Sequence, residues 1–263
     1  MRRRHTKLIS RAQLIRLMPW LAAIGMLIVW ELACRLFHIR EFILPAPSTI
    51  ARSLVEYRGP VLEHSWWTLT TTLLGFALAI IGGVLLGVAI GFSTLVYTGL
   101  YPLLIAFNAI PKVALVPILV IWFGIGAVPV VVTSFIISFF PIVVNVATGI
   151  ATLEPELADV LRSLGASRLD VLRKVGLPRA MPYLFASLKI AITLAFVGSV
   201  LAETIGGNAG LGFLMVTASA RFDVALVFAG LVAVAIMAVG LFAICVLVER
   251  RMIQWAFRGE LVS

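Results

Sequence analysis

The sequence predicts an all-α polytopic membrane protein with about six transmembrane helices. Three observations carry that expectation. Hydrophobic residues make up 62% of the chain and charged residues only 13%, about half the charge of an ordinary soluble domain. Mean hydropathy is +1.11. The apolar residues gather into runs of roughly twenty, the length a helix needs to cross a bilayer, and a polar, charged island, Glu154 to Pro178, lies between two long apolar runs.

Residues 1–16 form a basic arm. The run that follows is long, contains Glu31 and offers no small-residue cleavage site, so it reads as a retained first span, Leu17–Phe37, rather than a signal peptide. Residues 38–65 are expected as a loop on the opposite side. The second span is Trp66–Phe92. Within it Gly75, Ala79, Gly83, Gly87 and Gly91 recur every four residues, a small-residue face that lets helices approach closely where lipid supplies no hydrophobic drive for association. The third span, Gly99–Phe123, is interrupted by Pro102, Pro111 and Pro117. Val128–Ile150, Tyr183–Ala202 and Val224–Val248 complete the set, and 251–263 is a tail.

Basic residues orient the chain. With the N-terminus inside, the cytoplasmic side receives Arg2, Arg3, Arg4, Lys7, Arg11, Arg16, Arg162, Arg168, Arg173, Lys174, Arg179, Arg250, Arg251 and Arg258. The outer side receives Arg35, Arg40, Arg52, Arg58 and Arg221. This imbalance places both termini and the polar island in the cytoplasm, and it accounts for the net charge of +9 without a nucleic-acid partner.

The island is expected as two short amphipathic helices. Pro155 suits a first turn, with Glu154, Glu156 and Asp159 near the positive end of the helix dipole. Leu157, Val160, Leu161 and Leu164 then form one apolar stripe. Gly165 stands where a left-handed cap is required. Ser167 with Asp170 three residues on is a capping box for a second helix, whose Leu169, Leu172 and Val175 share a side and which Pro178 closes.

A helix–Gly–helix hairpin between spans resembles the cytoplasmic coupling loop of ABC importer permeases, whose pattern is Glu-Ala-Ala, three residues, Gly, nine residues, Ile, one residue, Leu-Pro. Here the triplet is Asp159-Val160-Leu161, the glycine is Gly165, Val175 stands for Ile, and Leu177-Pro178 match. Two further runs, Pro111 to Pro117 followed by Ile121-Trp122-Phe123-Gly124-Ile125-Gly126, and Glu203 to Gly212, resemble the nitrate, sulfonate and taurine branch of that family. The resemblance covers roughly Trp66 to Arg250. It implies a type I permease domain over 66–250 with its coupling loop at 151–180, in a bacterial inner membrane.

By the same resemblance the ATPase-contacting residues are Glu156, Asp159, Val160, Leu161, Leu164, Gly165, Arg168, Leu169, Leu177 and Pro178. The implied assembly is a permease homodimer with two ATPase subunits and an extracytoplasmic solute-binding protein. The chain has no Gly-x-x-x-x-Gly-Lys-Ser/Thr sequence, so ATP and Mg would be bound by the partner ATPase, and no cofactor is expected in this chain. The implied solute is a small anion or small polar organic, such as a sulfonate, taurine or nitrate, or a pyrimidine-type or aromatic compound.

Five polar residues within or at the ends of spans are pathway candidates: Asn108, Lys112, Asn145, Lys189 and Glu203. Charge at membrane depth points to function by default. Two readings of Lys112 stand, a pathway cation beside a broken helix or an interfacial side chain reaching for headgroups. Asn145 is either a helix–helix hydrogen-bond partner or a pathway group.

Other classes fit less well. A secondary transporter or channel without an ATPase is the alternative, but no internal repeat of the kind such transporters show is visible. No Ser/His/Asp or Cys/His cluster suggests an enzyme. His5, His38 and His64 lack ligand-like spacing, and Cys34 and Cys245, at opposite ends of their spans, cannot pair within one chain.

Overall fold

The computed structural model describes residues 11–152, 159–161 and 163–253. Its helices in order are α1 (Arg11–Leu36), α2 (Pro47–Glu56), α3 (Arg58–Gly91), α4 (Thr94–Ala109), a 3-10 turn (Lys112–Leu115), α5 (Val116–Phe123), α6 (Ala127–Ala151), α7 (Arg168–Val171), a π-helical turn (Leu172–Gly176), α8 (Leu177–Gly206), α9 (Leu211–Ala220) and α10 (Val224–Met252). Five helical stretches are long and apolar enough to cross a membrane. The pair α4 and α5 with its 3-10 turn makes a sixth, bent by 73°.

The core is α6 sandwiched between α3 and α8. The small-residue face of α3 lies on α6 so closely that no side chain larger than hydrogen fits at most of its positions. A Cβ at Gly75 would stand 2.7 Å from Ser134, and one at Gly83, Gly87 or Gly91 would stand 2.8 Å from Ile142, Val146 or the Ala147 carbonyl. Ile142, Val146, Ile192 and Phe196 fill the space between the helices, together with Phe76 and Ala79. Two of the hydroxyls buried in α6 bond within their own helix: Thr133 donates to the Pro129 carbonyl (2.7 Å) and Ser138 to that of Ser134 (2.6 Å). That satisfies polar groups which lipid could not.

The third span is broken where its prolines dictate. A residue before proline is pushed out of the α region, and Ile110, ahead of Pro111, is extended (φ −65°, ψ 130°). Pro117 falls in the first turn of α5, where its missing N–H costs nothing. Gly124 and Gly126, at φ +77° and +137°, end α5 and turn the chain into α6. The Gly126 N–H donates to the Gly206 carbonyl (3.1 Å), tying this turn to the end of α8.

Several boundaries differ from the sequence-based expectation. The expected loop 38–65 contains α2 and the start of α3, which begins at Arg58 rather than Trp66. The helix that carries the fifth span starts well before Tyr183, as a continuous helical stretch runs from Leu169 to Gly206. Pro178 therefore does not close the hairpin. In an α-helix its ring would meet the carbonyl four residues back, and the chain widens into the π turn just ahead of it, with the Leu177 N–H donating to the Leu172 carbonyl. Helix α9 was not anticipated, being too short to register as a span.

Candidate functional site

Two clusters of chemistry lie at opposite ends of α8. The first is the polar hairpin, described from Asp159 to Leu161 and from Ser163 onward. Glu156 lies outside the described residues, as do Glu154, Pro155 and Leu157, and the side chain of Arg168 is likewise not described. At Gly165 φ is +86°. The Ala166 N–H donates to the Leu161 carbonyl (3.0 Å), the six-to-one bond of a Schellman cap, and it satisfies a carbonyl that the helix end would otherwise leave bare. Ser167 and Asp170 then close a reciprocal capping box. The Asp170 carboxylate accepts from the Ser167 N–H (3.1 Å) and from its hydroxyl, and the Asp170 N–H donates to Ser167 Oγ (3.2 Å).

This geometry divides the apolar residues of the hairpin into two sets. Val171 and Gly176 are buried, and Leu172 packs on the core cluster between α6 and α8. Val160, Leu164 and Leu169 face outward, 55%, 78% and 48% exposed, while Leu161 is half-buried. The single stripe expected from Leu169, Leu172 and Val175 is thus split, with Leu169 exposed and Leu172 and Val175 half-buried. At the near end of α8 Leu177 is exposed and Pro178 half-buried, with Arg173 and Lys174 exposed beside them. The result is a capped tip with three exposed apolar side chains and a basic flank.

The second cluster surrounds Glu203, which is 1% exposed. Its Oε2 accepts from Thr68 Oγ1 of α3 (3.0 Å) and from the Gly212 N–H (2.9 Å). Thr68 Oγ1 in turn accepts from the Leu211 N–H (2.8 Å), and His64 Nδ1 accepts from the Gly210 N–H (3.0 Å). The Gly-rich segment 207–212 therefore folds back over the carboxylate. Gly210 has φ +100° and ψ 166°, and a Cβ there would run into the Glu203 carboxyl group. Sequence reasoning missed Thr68 and His64. A signal was present: the small face of α3 continues toward its start through Thr72, Thr68 and His64 at helical spacing.

The remaining candidates do not share one site. Asn108 and Lys112 meet: Lys112 Nζ donates to the Asn108 carbonyl and side-chain oxygen, both at 2.9 Å, and lies 5.2 Å from the centroid of the Phe140 ring. The cation thus sits on the negative end of α4. Asn145 donates to the Pro141 carbonyl of its own helix (2.8 Å), a bond that leaves its second N–H and its side-chain oxygen available. Lys189 is paired with Glu249 of α10 (2.8 Å). That partner was also missed, although an acid at the end of a span in a chain with 12 acids is a visible feature.

Comparison with known proteins follows the same lines. Residues 79–254 match the family described as binding-protein-dependent transport system inner membrane component. The chain is 33% identical over 218 residues to a probable ABC transporter permease protein of Haemophilus influenzae, covering 82% of this chain and 89% of that one. It is 32% identical to the riboflavin transport system permease protein RibX of Chloroflexus aurantiacus, over 88% of this chain and 87% of the relative. To the taurine transport system permease protein TauC of Escherichia coli it is 30% identical, over 88% and 86%. Among solved structures, a chain of the MetNI methionine ABC transporter shares the fold with a TM-score of 0.59 at 19% identity, covering 80% of this chain and 97% of that one.

Proposed function

The chain belongs to the family of binding-protein-dependent transport system inner membrane components, and we propose that its hairpin from Asp159 to Pro178 is the element through which a separate ATPase drives it. The protein is an inner-membrane permease of an ABC importer. The observation that carries the coupling role is the exposed apolar tip, Val160, Leu164 and Leu169, on a hairpin fixed by a Schellman cap and a capping box. Exposed apolar side chains on a preorganised surface gain most from a matching groove, because little conformational entropy is lost when they dock.

In this reading both termini and the hairpin are cytoplasmic, two permease copies line the pathway, two ATPases bind the hairpins, and a solute-binding protein delivers the solute from outside. Closure of the ATPase pair moves the tips together, and the continuous helix from Leu169 to Gly206 transmits that movement through α8 into the bundle. Residues 66–250 serve as the transport domain. The solute class is a sulfonate, taurine, nitrate or a pyrimidine-type or aromatic compound.

The test is co-purification. Leu164→Asp places a carboxylate in the apolar contact. Because Leu164 is exposed, the permease keeps its fold while affinity for the ATPase falls by about 2 kcal/mol, roughly thirtyfold. An unchanged yield of ATPase on the tagged variant removes the hairpin from the coupling role. In the pathway, Lys112 with Asn108 at the break between α4 and α5 is the cation proposed to draw in an anionic solute. Lys112→Gln is expected to lower uptake severalfold with the ATPase still bound, and normal uptake returns Lys112 to the role of a cap on α4.

A further inference from the structure

Helix α1 is the least buried of the candidate spans along with α10, so its Leu17–Leu36 stretch is exposed over most of its surface within one chain. Just beyond its last turn the chain bends through His38, at φ +50°, and re-enters helix at Pro47. Between α1 and the first turns of α2 lies a cavity of about 460 Å³ lined by Arg35, His38, Glu41, Ser48, Thr49 and Arg52. Residues immediately past the end of a span stand at the depth of the lipid headgroups.

The charges in this cavity are unevenly satisfied. Arg35 is held by Glu31, which also accepts from the Ser48 N–H (3.0 Å) and hydroxyl (2.7 Å) and so caps α2. Arg52 has no hydrogen-bond or ion-pair partner among the described residues. Among the described residues Glu41 accepts a single bond, from Thr49 Oγ1 (3.2 Å), which leaves most of its acceptor capacity open. The cavity thus presents a free guanidinium and a largely free carboxylate. Leu36, Phe37, Phe42 and Ile43, all strongly exposed, belong to the same turn.

The geometry points to a site for a phospholipid headgroup that carries both a phosphate and a primary ammonium, the phosphoethanolamine class. The phosphodiester is held by Arg52, with Arg35 adjacent, as charge-assisted hydrogen bonds. The ammonium donates to Glu41, and the acyl chains lie along the apolar residues of the turn. A glycerol headgroup has no cation for Glu41, and a choline headgroup has no N–H to donate to it. In the topology proposed above the site opens to the outer leaflet, and it stands independently of the coupling role of the hairpin.

The test uses the full chain in detergent, titrated with dihexanoyl phosphatidylethanolamine, phosphatidylglycerol or phosphatidylcholine and with water-soluble glycerophosphoethanolamine. Native mass spectrometry reads the bound adduct and thermal unfolding reads the stabilisation. A one-to-one phosphatidylethanolamine adduct is expected, roughly tenfold tighter than the phosphatidylcholine one. Arg52→Gln should abolish it, and Glu41→Gln should erase the preference for ethanolamine over glycerol while phosphate binding persists. Equal binding of the three lipids, or an adduct unchanged in both variants, overturns the site. Glycerophosphoethanolamine binding as tightly as the lipid overturns the lipid as its source.

Discussion

The two ends of α8 hold their turns in different ways. At the start of the helix the capping bonds among the described residues of the hairpin are local: Ala166 to Leu161, and Ser167 with Asp170. At the far end the Gly-rich turn is held by residues distant in the chain, with separations of 135, 143 and 146 positions for the bonds that involve Thr68 and His64. The turn at Gly165 to Asp170 is therefore held by its own residues, while Val171, Leu172 and Gly176 just beyond it anchor the hairpin to the bundle. The Glu203 knot exists only while α3 and α8 are in register, so it fastens the bundle. If the hairpin receives force from an ATPase as proposed, the two kinds of turn suit the two ends, one delivering movement and the other holding the bundle together.

The contrast can be broken most severely at Gly210. Its φ and ψ lie in a region essentially reserved for glycine, and a Cβ would collide with Glu203. Gly210→Ala is expected to cost about 3 kcal/mol or more, combining strain with crowding, and thermal unfolding in detergent would show it as a fall of several degrees. A wild-type midpoint would mean that the loop is not closed over the carboxylate.

Gly165 sharpens the comparison, since it too has positive φ but its Cβ position is open, with nothing within 4 Å. Gly165→Val is therefore expected to cost only the backbone term, about 1–2 kcal/mol. The larger effect is functional: ATPase still co-purifies, while solute-stimulated ATP hydrolysis falls together with uptake. Retained stimulation would separate the cap from force transfer. The smallest effect is expected for Ser167→Ala, which removes a capping hydroxyl worth about 1 kcal/mol. Amide hydrogen exchange should report it as faster exchange in the first turn after Ser167, with no change around Thr68 and Gly212.

These differences also explain what could be read in advance. Gly165, Ser167 and Asp170 were legible because a cap depends on residue types a few positions apart. The α3 face was legible because close helix contact requires small residues at fixed spacing, and the break before Pro111 because proline constrains its neighbour. Thr68, His64 and Glu249 were visible as polar residues on or at the ends of spans, but their pairings were not legible, since nothing local to Glu203 or Lys189 says which distant side chain will meet it. The start of α3 was obscured by Arg58, Glu63 and His64, polar residues that suit a loop yet continue the helix beyond the apolar run. Pro178 misled because proline usually ends a helix, and only the wider turn ahead of it reveals how the chain goes on.

That wider turn has a geometric consequence. A π turn holds one residue more than the α turn it replaces, and one residue corresponds to about 100° of rotation and 1.5 Å of rise. The compass bearing at which α8 presents its tip is therefore set by a single inserted residue between Leu172 and Gly176. Removing it would leave both helices and every cap intact, yet would swing Val160 and Leu164 through more than a quarter of a circle, away from any docking surface shaped for the present bearing. Aim, as distinct from affinity or stiffness, is stored in five residues of backbone.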